Sequence, residues 1–179
     1  MVMRLRLVLG VVLPALLSAC GGTPSRLPVA CPTPGLLSDG ADLTRYRPGP
    51  VRDLTTLDWD ARLSGLNGGC DRGRNNQTIE MKLTVGFVVE RGAGTEGRVV
   101  DLPWFVAVVD TRTDQVLTRR SFVERVSFAR NETRISGQSE QVSLSLPVGE
   151  TKRAQDYKIL VSFELTADDL ALNRRRGPR

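Results

Sequence analysis

Asp58 and Asp60 flank Trp59 at the spacing that projects two carboxylates from one face of a strand. Paired carboxylates do acid and base work when their surroundings push their pKa values apart. An outward strand face supplies no such asymmetry, and simple alternation places Trp59 in the core, so a carboxylate-based hydrolase ranks third among the functional classes. Gly92-Ala93-Gly94-Thr95-Glu96-Gly97 has the glycine spacing of a dinucleotide-binding loop. That loop works only when a helix N-terminus follows to hold the pyrophosphate. Here the next segment, Arg98-Val99-Val100, looks like a strand, and the glycines are expected to form a flexible hairpin loop. Asp71, Asn75 and Asn76 come nearest to a calcium loop, but Arg72 and Arg74 among them oppose a cation. The chain has no histidine, which removes Ser-His-Asp and Cys-His units, His-ligated metals and imidazole bases. No enzymatic activity, no cofactor and no metal site is expected.

The elements that carry these residues have a period of two. Ile79, Met81, Leu83, Val85, Phe87 and Val89 alternate with more polar neighbours, the pattern of a half-buried strand. Leu57, Trp59, Ala61 and Leu63 follow the same pattern, as do Phe122, Val126 and Phe128; Val142, Leu144 and Leu146; and Tyr157, Ile159, Val161, Phe163 and Leu165. The run from Trp104 to Val109 is apolar on both faces and should be a central strand. Turns are expected at Asn67-Gly68-Gly69, at residues 92–97, 110–114 and 131–134, and at Pro147-Val148-Gly149. Six or seven strands joined by short polar turns describe an all-β fold, a small antiparallel immunoglobulin-like β-sandwich. After the last strand, Thr166 can cap a short C-terminal helix whose first turn carries Asp168 and Asp169, with Leu165 and Leu170 as a staple.

Residues 21–51 contain Pro24, Pro28, Pro32, Pro34, Pro48 and Pro50, a composition suited to a tether and an extended wrap. Within it, Arg45, Tyr46 and Arg47 combine an aromatic ring with two cations ahead of Pro48-Gly49. They are the candidate binding residues; the alternative is a leader strand docking Leu43 and Tyr46 onto the body.

The N-terminus bears on the compartment. Arg4 and Arg6 precede an apolar run over residues 7–17, too short for the ~20 residues of a membrane-spanning helix and suited to a secretory signal. Leu17-Ser18-Ala19-Cys20 then resembles the lipobox of bacterial lipoproteins. The resemblance covers about the first 21 residues and implies that residues 1–19 are a signal peptide and that Cys20 is lipidated and becomes the new N-terminus. It also implies two or three acyl chains on that cysteine, such as palmitate, and so a permanent membrane anchor; a single chain would hold only marginally. In that family an Asp after the cysteine retains proteins in the inner membrane. Gly21 stands there instead, so the expected location is the cell outer membrane, facing the periplasm.

With Cys20 lipidated, Cys31 and Cys70 are the remaining thiols of the three cysteines. In an oxidising compartment they are most simply a disulfide, with a redox pair or an intermolecular bridge as alternatives. The expected division is therefore a signal over 1–19, a lipidated Pro-rich leader over 20–53, a sandwich over 54–173 and a basic tail over 174–179.

The formal charge of +5 and pI near 9.6 would ordinarily suggest nucleic acid or an acidic surface. Arg4 and Arg6 belong to the signal, and Arg174, Arg175, Arg176 and Arg179 cluster at the other end, so the body between is close to neutral. Nucleic acid is not an expected partner, because all aromatics except Tyr46 fall on proposed strands, where they belong to the core. The arginine tail either pairs with anionic lipid phosphates or is a solvated tail. With its Cys31-Pro32 leader, the Arg45-Tyr46-Arg47-Pro48-Gly49 run and the helix expected after the last strand, the whole chain resembles a family of Gram-negative envelope lipoproteins of similar size. That resemblance supplies no activity, and the leading expectation is a non-enzymatic binding or structural module whose partners are the membrane, through Cys20, and another envelope protein. The second is a carrier or sensor of a small apolar or anionic ligand.

Overall fold

Alternation over residues 78–91 is realised directly: Ile79, Met81, Leu83, Val85, Phe87 and Val89 are buried, and the residues between them are not. The computed structural model describes residues 29–177, so the lipobox at residues 17–20 and Arg179 lie outside the described residues. The strands run in the order β1 (Thr33–Leu36), β2 (Asp42–Tyr46), β3 (Leu57–Arg72), β4 (Thr78–Arg91), β5 (Val99–Asp110), β6 (Val116–Ser127), β7 (Arg134–Gln138), β8 (Val142–Pro147) and β9 (Tyr157–Phe163), followed by helix α1 (Ala167–Arg176).

They form two packed sheets. One has the order β1-β9-β5-β6; the other runs β2-β3-β4, with β7 and β8 following one another along the outer edge of β4. All pairings are antiparallel except β1 with β9. The protein is an all-β sandwich with one short C-terminal helix. β5 lies inside its sheet, as its two-sided apolar run requires, and Ala107 and Val109 are buried on the face opposite Val106 and Val108. The inner stripes of both sheets make one core that includes Leu63, Leu83, Trp104, Ile159 and Phe163. Burying each such side chain contributes about 1.5–3 kcal/mol.

Sequence character changes near Leu54, yet the Pro-rich leader supplies two strands. β1 lies on β9 in the first sheet and β2 on β3 in the second, and a 3-10 turn at Ser38–Gly40 crosses between them. A Cβ on Gly40 would lie 2.0 Å from the Ser162 Oγ, so only glycine lets the crossing approach β9 this closely. Cys31, just before β1, is bonded to Cys70 of β3, with Cα atoms 5.7 Å apart. The disulfide therefore joins the two sheets as well as holding the leader.

Two expected connections are different. Asn67-Gly68-Gly69 is not a turn: β3 continues through it to Arg72, pairing Gly68 with Leu83 and Cys70 with Met81. A Cβ on Gly68 would lie 2.2 Å from the Lys82 carbonyl oxygen, so the glycine serves close strand approach. The reversal comes after it, where Asn75 and Asn76 take positive φ of 56° and 57°, a conformation Asn tolerates well. The segment over residues 92–97 is a loop but not a hairpin. It carries the chain from β4 to β5, which lie in different sheets.

Candidate functional site

Arg45, Tyr46 and Arg47 lie at the end of β2 and just beyond it, where the chain passes the first turn of α1. Together with Pro48, Arg52, Asp168 and Leu172 they border an open cleft of about 490 Å³. Helix α1 starts here because the Thr166 hydroxyl accepts from the Asp169 N–H at 3.2 Å and the Asp169 carboxylate accepts from the Thr166 N–H at 2.9 Å, a reciprocal capping box. The helix ends at Gly177, which takes φ 77°.

Each cation of the cleft faces a carboxylate. Arg45 donates to Asp169 at 2.6 Å and lies over the Trp59 ring at 5.8 Å. Arg47 pairs with Glu96, and Arg52 approaches Asp168 at 3.7 Å. Burial pushes the Asp169 carboxyl up, but hydrogen bonds from Thr166 and the Arg45 guanidinium outweigh it and hold the group below the usual range. The cleft is therefore lined by compensated ion pairs, and Arg45 acts as a clamp between β2 and α1. Tyr46 is half-buried opposite Leu57.

Two of the terminal arginines, Arg174 and Arg176, are used in the same way. Arg174 reaches Asp39 at 3.0 Å, and Arg176 donates to the Thr44 hydroxyl at 2.8 Å and lies 3.7 Å from Asp60. Residues 174–176 are the last turn of α1, where cations oppose the negative end of the helix dipole. Between them Asn173, only 7% exposed, donates to the Asp39 and Asp42 carbonyls at 2.8 and 2.7 Å. The polar residues at the end of the helix anchor it to the leader.

The remaining motif residues are accounted for by the fold. Asp60 accepts from the Thr44 hydroxyl at 2.5 Å, and the Asp58 carbonyl accepts from the Gly92 N–H at 2.7 Å. Gly94 donates to the Leu57 carbonyl at 2.8 Å, and β5, not a helix, follows the glycine loop. Asp71 faces Lys82 at 3.8 Å. Among the described residues no group of three or more His, Cys, Asp or Glu side chains is placed to hold a metal.

A second surface, absent from the sequence reading, is strand β6. Among the described residues it pairs only with β5, so one side of its 12-residue backbone is unpaired. Val123 on β6 is 63% exposed, Val116 60% and Leu117 48%, and Val99 on neighbouring β5 is 56% exposed. Arg120 and Glu124 lie opposite Val106 and Leu102, which are core residues, so both point to the inner side of the sheet. Inward-pointing charges at an edge strand discourage indiscriminate pairing. Arg120 reaches the Ser143 carbonyl on β8 at 2.9 Å. Glu124 makes no hydrogen bond or ion pair among the described residues, and burial, then the nearby Glu140, pushes its carboxyl up. The signal in the sequence was the interruption of an apolar alternation by Arg120 and Glu124, which marks an edge.

Between the sheets, the space bordered by Leu63, Phe87, Trp104 and Glu124 amounts to about 10 Å³, around the lower limit for one water. No family model, no curated protein and no solved structure matches this chain.

Proposed function

We propose that this protein is a non-enzymatic lipoprotein of the bacterial cell envelope, anchored in the outer membrane through Cys20, whose sandwich faces the periplasm and takes up an extended strand along β6. The observation that carries it is the long, partly apolar β6 edge, unpaired on its outer side among the described residues. Such edges bind through main-chain hydrogen bonds, with alternate side chains supplying specificity. The disulfide between Cys31 and Cys70 fits an oxidising compartment. The cations of the cleft are matched by carboxylates, which favours binding through the sheet edge over anion binding by Arg45 and Arg47.

The anchor and the edge are tested separately. Cys20→Ser should move the protein from the membrane fraction to the soluble periplasm; continued lipid labelling of that variant would reject the anchor. A photo-crosslinking amino acid at Val123 should capture a protein in intact cells, while one at the exposed Ser136 on β7 should not. Equal capture at both positions would reject the edge.

A further inference from the structure

We propose that the strand taken up at the β6 edge is β6 of a second copy of this chain, antiparallel about a two-fold axis at Phe122, with Arg120 of each copy opposite Glu124 of the other. The proposal rests on the edge-docking reading above and names its partner.

Charge complementarity selects this occupant. Arg120 and Glu124 lie two residues on either side of Phe122 and share the inner face of the sheet. In a two-fold antiparallel pair about Phe122, residue numbers in facing positions have a constant sum, so Arg120 of one copy faces Glu124 of the other twice over. Directly opposite residues have Cβ atoms about 4.5–5.5 Å apart, close enough for the pair to form. Shifting the axis to Ser121 sets Glu124 against Thr118, and shifting it to Val123 sets Glu124 against Phe122; neither pairs the charges.

The half-buried Glu124, which makes no hydrogen bond or ion pair among the described residues and lies close to Glu140, receives a cation from a facing copy only in the first arrangement. Arg120 lies over the Phe122 ring at 5.4 Å and is exposed, so its remaining N–H groups are available.

On the outer face the same register sets Arg119 against Arg125. Each already has its own carboxylate: Arg119 reaches Glu164 at 2.5 Å, and Arg125 binds Asp101 through two bonds of 2.7 and 3.0 Å. The row is therefore neutral. Ser121 faces Val123, so the valine, 63% exposed in the single chain, is covered. The inward charges that repel arbitrary strands thus admit a strand carrying the opposite charges in reverse order, and β6 itself has that order.

The test uses the full-length lipidated chain. In native membranes, Phe122→Cys should give a disulfide-linked dimer under mild oxidation. Thr118→Cys, which faces Val126, should give none. Because Phe122 also stacks on Trp104 with ring centroids 4.6 Å apart, the charge test is made independently in detergent by sedimentation velocity. Arg120→Glu and Glu124→Arg should each weaken dimerisation about tenfold or more, and the two exchanges combined should restore it. Unchanged association of the single variants, or a double exchange that restores nothing, overturns the proposal. If Phe122→Cys links to a different protein, self-pairing fails and edge docking stands; if β6 captures nothing at Phe122 or Val123, both fail.

Discussion

The Arg45 guanidinium donates to the Asp169 carboxylate at 2.6 Å, joining residues 124 positions apart in the chain. Arg45 extends from β2 over the Trp59 ring, and Asp169 closes the capping box of α1, so one contact ties the leader, the core and the C-terminal helix. Arg45→Ala leaves a mostly enclosed carboxylate without its cation. It should cost about 1–2 kcal/mol in urea unfolding, more than an exposed surface pair would, and should speed amide exchange in α1.

Asp169 also makes this contact pH-dependent. Its carboxyl is held below the ordinary value of 3.8, so its stabilisation is complete above that value and is lost as the pH falls through the lower, folded-state pKa. The wild type should therefore lose more stability between pH 6 and pH 3 than Asp169→Asn does. Parallel pH dependence of the two urea midpoints would refute the assignment.

Cys31→Ser removes a link between residues separated by 39 positions. The expected loss is about 4 kcal/mol in the chain-entropy model. Cys70 should then react with a maleimide in denatured protein. Identical thiol counts in denatured wild type before and after reduction would show that the bridge is absent.

Asn173→Ala leaves the Asp39 and Asp42 carbonyls without their side-chain donor in a buried position. A loss of about 2 kcal/mol is expected, with α1 fraying before the sandwich melts. Hydrogen exchange that slows in α1, or does not change there, would contradict this role.

Gly68 and its neighbour Gly69 separate a paired strand from a free turn. Gly68→Ala places a methyl 2.2 Å from the Lys82 carbonyl oxygen, whereas a Cβ on Gly69 meets nothing within 4 Å. Thermal melts should show a loss of about 1–3 kcal/mol for the first and little change for the second. Equal tolerance at both positions would place residues 67–69 in a loop.

The alternation in β4 and β9 was legible in the sequence because both strands have one face in a core and one outside it. The β3 glycines were misread because Gly-Gly after Asn is ordinarily turn chemistry, and only pairing with Leu83 and Met81 on β4 shows that the strand continues. The leader strands were only half visible for a related reason: with Pro34 in β1 and Pro48 after β2, they are short edge strands whose ladders depend on β9 and β3.

The candidate strip at Arg45, Tyr46 and Arg47 was found as a composition. Its counter-charges, Asp169 and Glu96, lie far away in sequence and could not be assigned to it without the fold. β6 was recognised as a strand through Phe122 and Val126, but its place at the edge follows from the order β1-β9-β5-β6.

From the sequence alone came the all-β class, the central β5, the Thr166 cap and the pairing of Cys31 with Cys70. Each depends on a local period, a single capping residue or a count of two thiols. The tertiary structure decided which sheet each strand joins, which arginines are consumed by ion pairs and which strands, β6 among them, lie at the sheet edges. Those outcomes depend on closure of the chain over distances that a period of two does not encode.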